Sequence, residues 1–282
     1  MKRTLAALVL VLSVALAAKP LAVATIAPYA SLARAVLGDG WRVESLVPAG
    51  ANPHVFSPDP ADVRKVAAAR LVIMNGLGLD DWLVEKLIKP NSLQAHLYRA
   101  ADSLTGRTIA LPSGAPDPHV WTDPVLMTYV VAGIAKAAGE VDPQNAAAYA
   151  KRAKAYAQKL LEIDRMTRLR LESAPTRKFV AFKNPFSYVA ARYRLERVYL
   201  ITPNPAAQPS PRELAAAARV LQQNGLHYIV APLQTSREAE RVARTLGVKA
   251  ALLDLLGETS SDYLGVWEAN GRILAMALGI EE

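Results

Sequence analysis

Cysteine is absent from all 282 residues. That absence excludes a disulfide framework, a thiol nucleophile, a zinc ribbon and an iron–sulfur cluster. It also leaves no thiol for an N-terminal lipid anchor. Aromatic residues are sparse at 6%, charged residues make up only 21%, and there are four histidines. Yet 52% of the chain is hydrophobic, which excludes disorder and allows one large or two medium domains with a sizeable core.

Long hydrophobic runs are also scarce. The one that stands out follows Met1-Lys2-Arg3 and extends from Leu5 to Ala18, with small residues at Ala15 and Ala17 before Lys19-Pro20. A basic start, a short apolar stretch and an A-x-A ending describe a secretory signal peptide. Spanning a bilayer would take roughly 20 apolar residues. The sequence therefore predicts a cleaved leader over residues 1–17 and an exported, periplasmic protein without a lipid tether. Without Lys2 and Arg3 the formal charge of +8 falls to +6, since 31 basic residues remain against 25 acidic ones. On an exported protein this balance is surface character, and nucleic acid is not an expected partner.

Beyond the leader, β-rich runs alternate with helical ones. Strands are expected at Leu21–Ile26, Arg42–Pro48, Leu71–Asn75 and Thr108–Leu111, then at Lys178–Phe182, Arg197–Ile201, His227–Ala231 and Lys249–Leu253. Helices are expected at Tyr29–Leu37, Pro60–Ala69, Arg212–Asn224 and Ser236–Leu246. Such alternation implies parallel sheets built from βαβ units. In the middle, Asp142-Pro143 opens a helical stretch with Tyr149, Ala153, Tyr156, Leu160 and Ile163 on one face, and no breaker precedes Pro175. A helix of about 30 residues would be roughly 45 Å long, better suited to connecting two lobes than to crossing one sheet. The alternative is two shorter helices with a kink near Met166. The expected fold is α/β, with two lobes, each a four-stranded, mostly parallel sheet flanked by helices, joined by one long rigid helix. The boundaries are 18–141 for the first lobe, 142–174 for the linker and 175–282 for the second lobe.

Ligands of such folds bind beyond the carboxyl ends of the strands. His54, in Asn52-Pro53-His54-Val55-Phe56-Ser57-Pro58-Asp59-Pro60, lies past the second expected strand. His119, in Asp117-Pro118-His119-Val120-Trp121-Thr122-Asp123-Pro124, lies past the fourth. Both are Pro-His pairs in proline-rich loops that re-enter helices at Asp-Pro, an arrangement that restricts where an imidazole points. A lone loop histidine usually faces solvent or caps a turn; two in matched settings suggest a shared site. His96 and His227 read as structural. Asp254 closes the last strand, and its residues alone leave two roles open: a turn cap, or a hard ligand in the cleft.

These segments resemble the zinc/manganese cluster (ZnuA/TroA-like) of ABC-transporter solute-binding proteins. The resemblance rests on Pro53–Asp62, Leu71–Trp82, Asp117–Pro124 and Leu253–Gly257 in the family's order, over about residues 20 to 279. It implies a metal ion in the cleft, zinc first and manganese next, and delivery to an ABC-transporter membrane permease by a monomeric, non-enzymatic carrier. By position it implies His54 and His119 as first-lobe ligands and Asp254 as the second-lobe carboxylate. The remaining ligand position holds Lys183, in Lys183-Asn184-Pro185-Phe186-Ser187-Tyr188, where the family has histidine or glutamate. Gln208-Pro209-Ser210 replaces a frequent Glu-Pro-Ser, and the family's histidine-rich loop is missing.

A protonated lysine has three donors and no lone pair, so it cannot coordinate a cation. Three arrangements follow. Lys183 swings out while His54, His119 and Asp254 hold the metal with water; or neutral Lys183 ligates; or its ammonium pairs with Asp254 and replaces the metal. The last would make the protein a divergent member that binds another solute or partner. A metal-dependent hydrolase would share the two-histidine, one-carboxylate set, but neither an H-E-x-x-H helix nor a G-x-S-x-G elbow is present. Gly76-Leu77-Gly78 imitates a dinucleotide fingerprint, yet Asp81 stands where the third glycine should admit pyrophosphate.

Overall fold

The computed structural model describes residues 18–203 and 207–280. The expected leader, 1–17, lies outside them. The first half contains β1 (Leu21–Ala24), α1 (Ala27–Leu37), β2 (Arg42–Ser45), α2 (Pro60–Ala68), β3 (Ala69–Met74), β4 (Leu97–Arg99) and α3 (Pro124–Val141). Then come α4 (Ala146–Glu172), β5 (Lys178–Ala181), α5 (Ser187–Tyr193), β6 (Glu196–Leu200), α6 (Pro211–Gln223), β7 (Tyr228–Pro232), α7 (Ser236–Leu246), β8 (Lys249–Leu253) and α8 (Tyr263–Ala277).

The eight strands form two separate four-stranded parallel sheets, ordered β2-β1-β3-β4 and β6-β5-β7-β8. The inner strand β1 is buried at every position, and β3 at all but Arg70. Their continuous apolar runs suit a parallel sheet covered on both faces. In each lobe the first strand lies between the second and the third. The order therefore reverses beside it, which opens a crevice at the carboxyl ends.

The fourth strand of the first sheet is not where the sequence suggested. Thr108–Leu111 forms a loop that folds back on itself, with Leu111 N–H donating to Ala115 O (2.7 Å) and Asp117 N–H to Ile109 O (2.7 Å). The sheet edge is instead β4, paired with β3 from Val72↔Leu97 to Met74↔Arg99. Three residues are too few to show a period-two pattern. The longer apolar run around Ile109 spends its backbone bonds on its own returning chain.

Helix starts follow their caps. Asp59 accepts from Ala61 N and Asp62 N while Asp62 answers Asp59 N, a reciprocal box that starts α2 directly after the His54 loop. Asp123 accepts from Val125 N and Leu126 N to start α3 after the His119 loop. α3 is long and apolar enough to cross a membrane by length and composition alone, but half of it is buried, with α4 its main neighbour.

The connector is α4, an unbroken α-helix of 27 residues preceded by a 3₁₀ turn at Pro143–Asn145. Its buried stripe is Tyr149, Ala153, Tyr156, Leu160, Asp164, Thr167 and Leu171. The expected Ile163 is half-buried against the same core, and beside it the stripe carries Asp164, whose buried carboxylate is gripped by Arg192 of α5 through Nε (2.7 Å) and Nη2 (2.6 Å). Arg168 adds a third bond at 2.9 Å. One hydrophobic cluster runs through both lobes and α4, and a second fills the outer side of the second lobe.

Candidate metal centre

The carboxyl ends of β2 and β4 lead to the two histidines. His54 sits in a 3₁₀ turn, Pro53–Val55, where Asn52 Oδ1 accepts its N–H at 3.0 Å. Trp82 anchors the turn from behind: its indole N–H donates to Pro53 O at 3.2 Å and its ring packs on Phe56. His119 is held more firmly. Asp117 Oδ1 accepts both its backbone N–H (3.0 Å) and its ring Nδ1 (2.7 Å), and Thr122 Oγ1 donates to its carbonyl (2.7 Å). Asn75 Nδ2 donates to Pro118 O at 3.1 Å, and the Tyr188 hydroxyl from the second lobe donates to Asp117 O at 2.9 Å.

With Nδ1–H given to Asp117, His119 presents the Nε2 lone pair, and it faces His54 Nε2 at 3.3 Å. Two ligand nitrogens each 2.0–2.1 Å from a tetrahedral zinc would lie about 3.3 Å apart. The carboxylate behind His119 is the type of partner that orients metal-bound imidazoles. Burial, reinforced by the neighbouring His119, pushes the His54 pKa down to about 4, against the opposing pull of Asp117. His54 is therefore a neutral donor at pH 7. Burial raises the Asp117 carboxyl, but its bonds and charge interaction with His119 outweigh that and hold it below the usual range.

The second lobe is arranged differently. Asp254 is 4% exposed, and both its oxygens are engaged. Oδ1 accepts from the backbones of Leu256 (3.1 Å), Gly257 (2.8 Å) and Glu258 (3.1 Å). Oδ2 accepts from Thr259 N (2.8 Å) and Thr259 Oγ1 (2.7 Å). Asn270 brackets its backbone, accepting Asp254 N–H and donating to Asp254 O. These bonds make Asp254 the cap of the turn that follows β8. Lys183, just past β5, places Nζ 3.3 Å from Glu238 Oε2 at the start of α7. Among the described residues no ion pair joins Lys183 to Asp254, and no three His, Asp or Glu side chains form a metal-holding group.

One carboxylate of the second lobe does reach the first. Glu258 rests against Gly50, and burial first, then the charge of Asp254, holds its carboxyl above the usual glutamate range. Around this point the lobes are joined directly. Trp121 Nε1 donates to Leu255 O (2.8 Å), Tyr263 OH to Trp121 O (2.7 Å), and Tyr263 N–H to Ser31 Oγ (2.9 Å). His96 and His227 lie elsewhere. His96 Nε2 meets Glu140 at 3.1 Å, and the His227 carbonyl accepts Lys249 N–H.

Sequence reading gave no role to Asp117, Tyr188 or Glu258. Asp117 could have been found from its place two residues before a histidine, where one carboxylate oxygen can meet both the backbone and the ring of His119. Tyr188 and Glu258 act across the lobes and carry no local signal.

Known proteins share this architecture. The chain is 28% identical over 221 residues to the iron-binding protein YfeA of Yersinia pestis, covering 77% of this chain and 71% of that protein. It is 26% identical over 253 residues to the high-affinity zinc uptake system protein ZnuA of Bacillus subtilis, covering 85% and 79%. A crystal structure of ZnuA superimposes with a TM-score of 0.82 at 26% identity, covering 92% of this chain and 99% of that one. The family model described as zinc-uptake complex component A, periplasmic, matches residues 22–277, and the chain belongs to that family.

Proposed function

We propose that this protein is an extracytoplasmic carrier that captures a divalent transition metal between its lobes and hands it to an ABC-transporter permease. Zinc is the foremost cargo and manganese the next. The observation that carries the reading is the His54–His119 pair, with Nε2 atoms 3.3 Å apart and His119 backed by a buried carboxylate. The relatives' names, one a zinc uptake protein and one an iron-binding protein, support a metal cargo of this class. Imidazole nitrogen suits zinc, which binds more tightly than manganese or iron(II) at a given site.

In this reading His54 and His119 are the first-lobe ligands. Asp254 is the second-lobe carboxylate of the set, with water in the open position, and it also shapes the loop after β8. Lys183 swings away to Glu238 and takes no part in coordination. The lobe boundaries at 141/142 and 174/175, a monomeric state and the removal of residues 1–17 belong to the same proposal, and N-terminal sequencing of the exported protein tests the last. Calorimetry of metal-free protein with zinc and with manganese tests the cargo. One equivalent of zinc bound at neutral pH, more tightly than manganese, is expected. Elemental analysis of protein from its native compartment, finding neither metal, would count for the divergent binder in which the second lobe has given up its cation.

A further inference from the structure

We propose that a cavity between the lobes, lined by neither His54 nor His119, binds a small dianionic oxyanion. The cavity measures about 370 Å³ and four arginines line it. Arg107 comes from the first-lobe loop that leads to His119, Arg168 from α4, Arg192 from α5, and Arg194 from the residue that ends α5. The wall carries one carboxylate, Asp123, whose Oδ1 is turned to the start of α3 by Val125 N–H and Leu126 N–H. A second, Asp164, stands behind Arg168 and Arg192 and pairs with both. Four guanidinium groups against two carboxylates leave an excess of two positive charges.

Three of these arginines are braced without a ligand. Arg107 Nη1 donates to Thr105 O at 3.0 Å, and its guanidinium lies 4.4 Å from the centre of the Tyr129 ring. Arg192 gives Nε and Nη2 to Asp164 and Arg168 gives Nη2, which leaves Arg192 Nη1 and Arg168 Nε and Nη1 for another acceptor. Arg194 is placed by its backbone, at φ +53° and ψ +47°, the left-handed position after a helix that favours glycine. A side chain kept there against strain points to a role beyond folding. Guanidinium forks match the paired oxygens of phosphate and carboxylate, and a dianion balances the excess charge. Tyr188, on the same wall, accepts Ile109 N–H at 3.0 Å and donates to Asp117 O at 2.9 Å. The cavity therefore lies where the lobes are fastened, and an anion in it bridges Arg107 of the first lobe to Arg192 and Arg194 of the second.

Calorimetric titration of the chelator-treated protein with inorganic phosphate and with succinate, at constant ionic strength, tests the site apart from metal binding. The parent should bind one equivalent, and the anion it binds more tightly tells a phosphoryl from a dicarboxylate ligand. Arg194→Gly keeps the left-handed turn while removing the guanidinium, and Arg107→Gln removes the charge of the first-lobe wall. Each should weaken binding at least about ten-fold, the effect of losing one charge-assisted hydrogen bond. Lys159→Gln, which removes a charge from the exposed side of α4 outside the cavity, should leave the affinity unchanged. The site is overturned if the parent binds neither anion, if both arginine variants bind as tightly as the parent, or if Lys159→Gln weakens binding as much as they do.

Discussion

Two imidazole lone pairs facing each other at 3.3 Å repel unless a proton or a cation lies between them. The protein sets the two rings up unequally. Asp117 fixes the tautomer of His119, while burial and the adjacent ring keep His54 unprotonated, with a pKa near 4. Because the folded pKa of His54 lies below its ordinary value of 6.5, its contribution to stability is complete above pH 6.5 and is lost as pH falls through about 4. An NMR titration of the metal-free protein should therefore place the His54 midpoint near pH 4, and an ordinary midpoint near 6.5 would refute this. Asp117→Asn should lower zinc affinity about 10- to 100-fold while leaving both histidines in place, the usual effect of losing an orienting carboxylate. Lys183→His should act in the opposite direction, adding an imidazole and raising zinc affinity by about ten-fold or more, read by competition with a chelator. At this scale the sequence showed His54 and His119 through their matched Pro-His loops, and Lys183 as the residue that does not fit. It could not show Glu238 as the partner of Lys183, because 55 positions separate them and only the packing of α7 on β7, the strand beside β5, brings them together. Nor could it show the hydrogen bonds that Asp254 accepts, since those bonds depend on how residues 254–259 turn.

Among the elements, α4 does more than space the lobes. Its buried Asp164 grips Arg192 on α5, the helix that follows the Lys183 loop, and so ties the connector to the second lobe. Burial raises the Asp164 carboxyl, but its bonds with Arg192 and Arg168 outweigh that and hold it below the usual aspartate range. A depressed folded pKa gives stability that is present above the unfolded value of about 3.9 and lost as pH falls further. Asp164→Asn should cost about 3 kcal/mol at pH 7, the low end for breaking a buried pair, because both arginines keep some contact with water. In urea denaturation the gap from the parent should shrink at pH 3; an undiminished gap there would contradict the ion-pair account. The helix itself was legible from its apolar period and from Pro143 and Pro175 at its ends. Asp164 was not, since a period-based reading passes over a charged residue in an apolar stripe. The edge strand failed for a related reason: three residues at Leu97–Arg99 carry no pattern, and the apolar run around Ile109 looked more like a strand than the strand did.

At the scale of the molecule, two sheets with the same strand order place their carboxyl ends toward a common cleft, and one hydrophobic cluster continues across it. The hydrogen bonds of Trp121 and Tyr263 across the lobes add to that continuity. A core shared in this way and a continuous connecting helix leave little freedom for hinge motion, so X-ray scattering with and without zinc should give superimposable profiles. A large change in radius of gyration would show that α4 bends. The lobed architecture was readable from strand–helix alternation and one long helix, whereas the contacts that close the lobes together depend on tertiary packing and were not. The central claim, capture of a metal by His54 and His119, is tested most directly by calorimetric titration of the metal-free protein with zinc at neutral pH, beside the His54→Ala/His119→Ala double variant. The account predicts one equivalent bound by the parent and none by the variant; no binding by the parent, or equal binding by both, would contradict it.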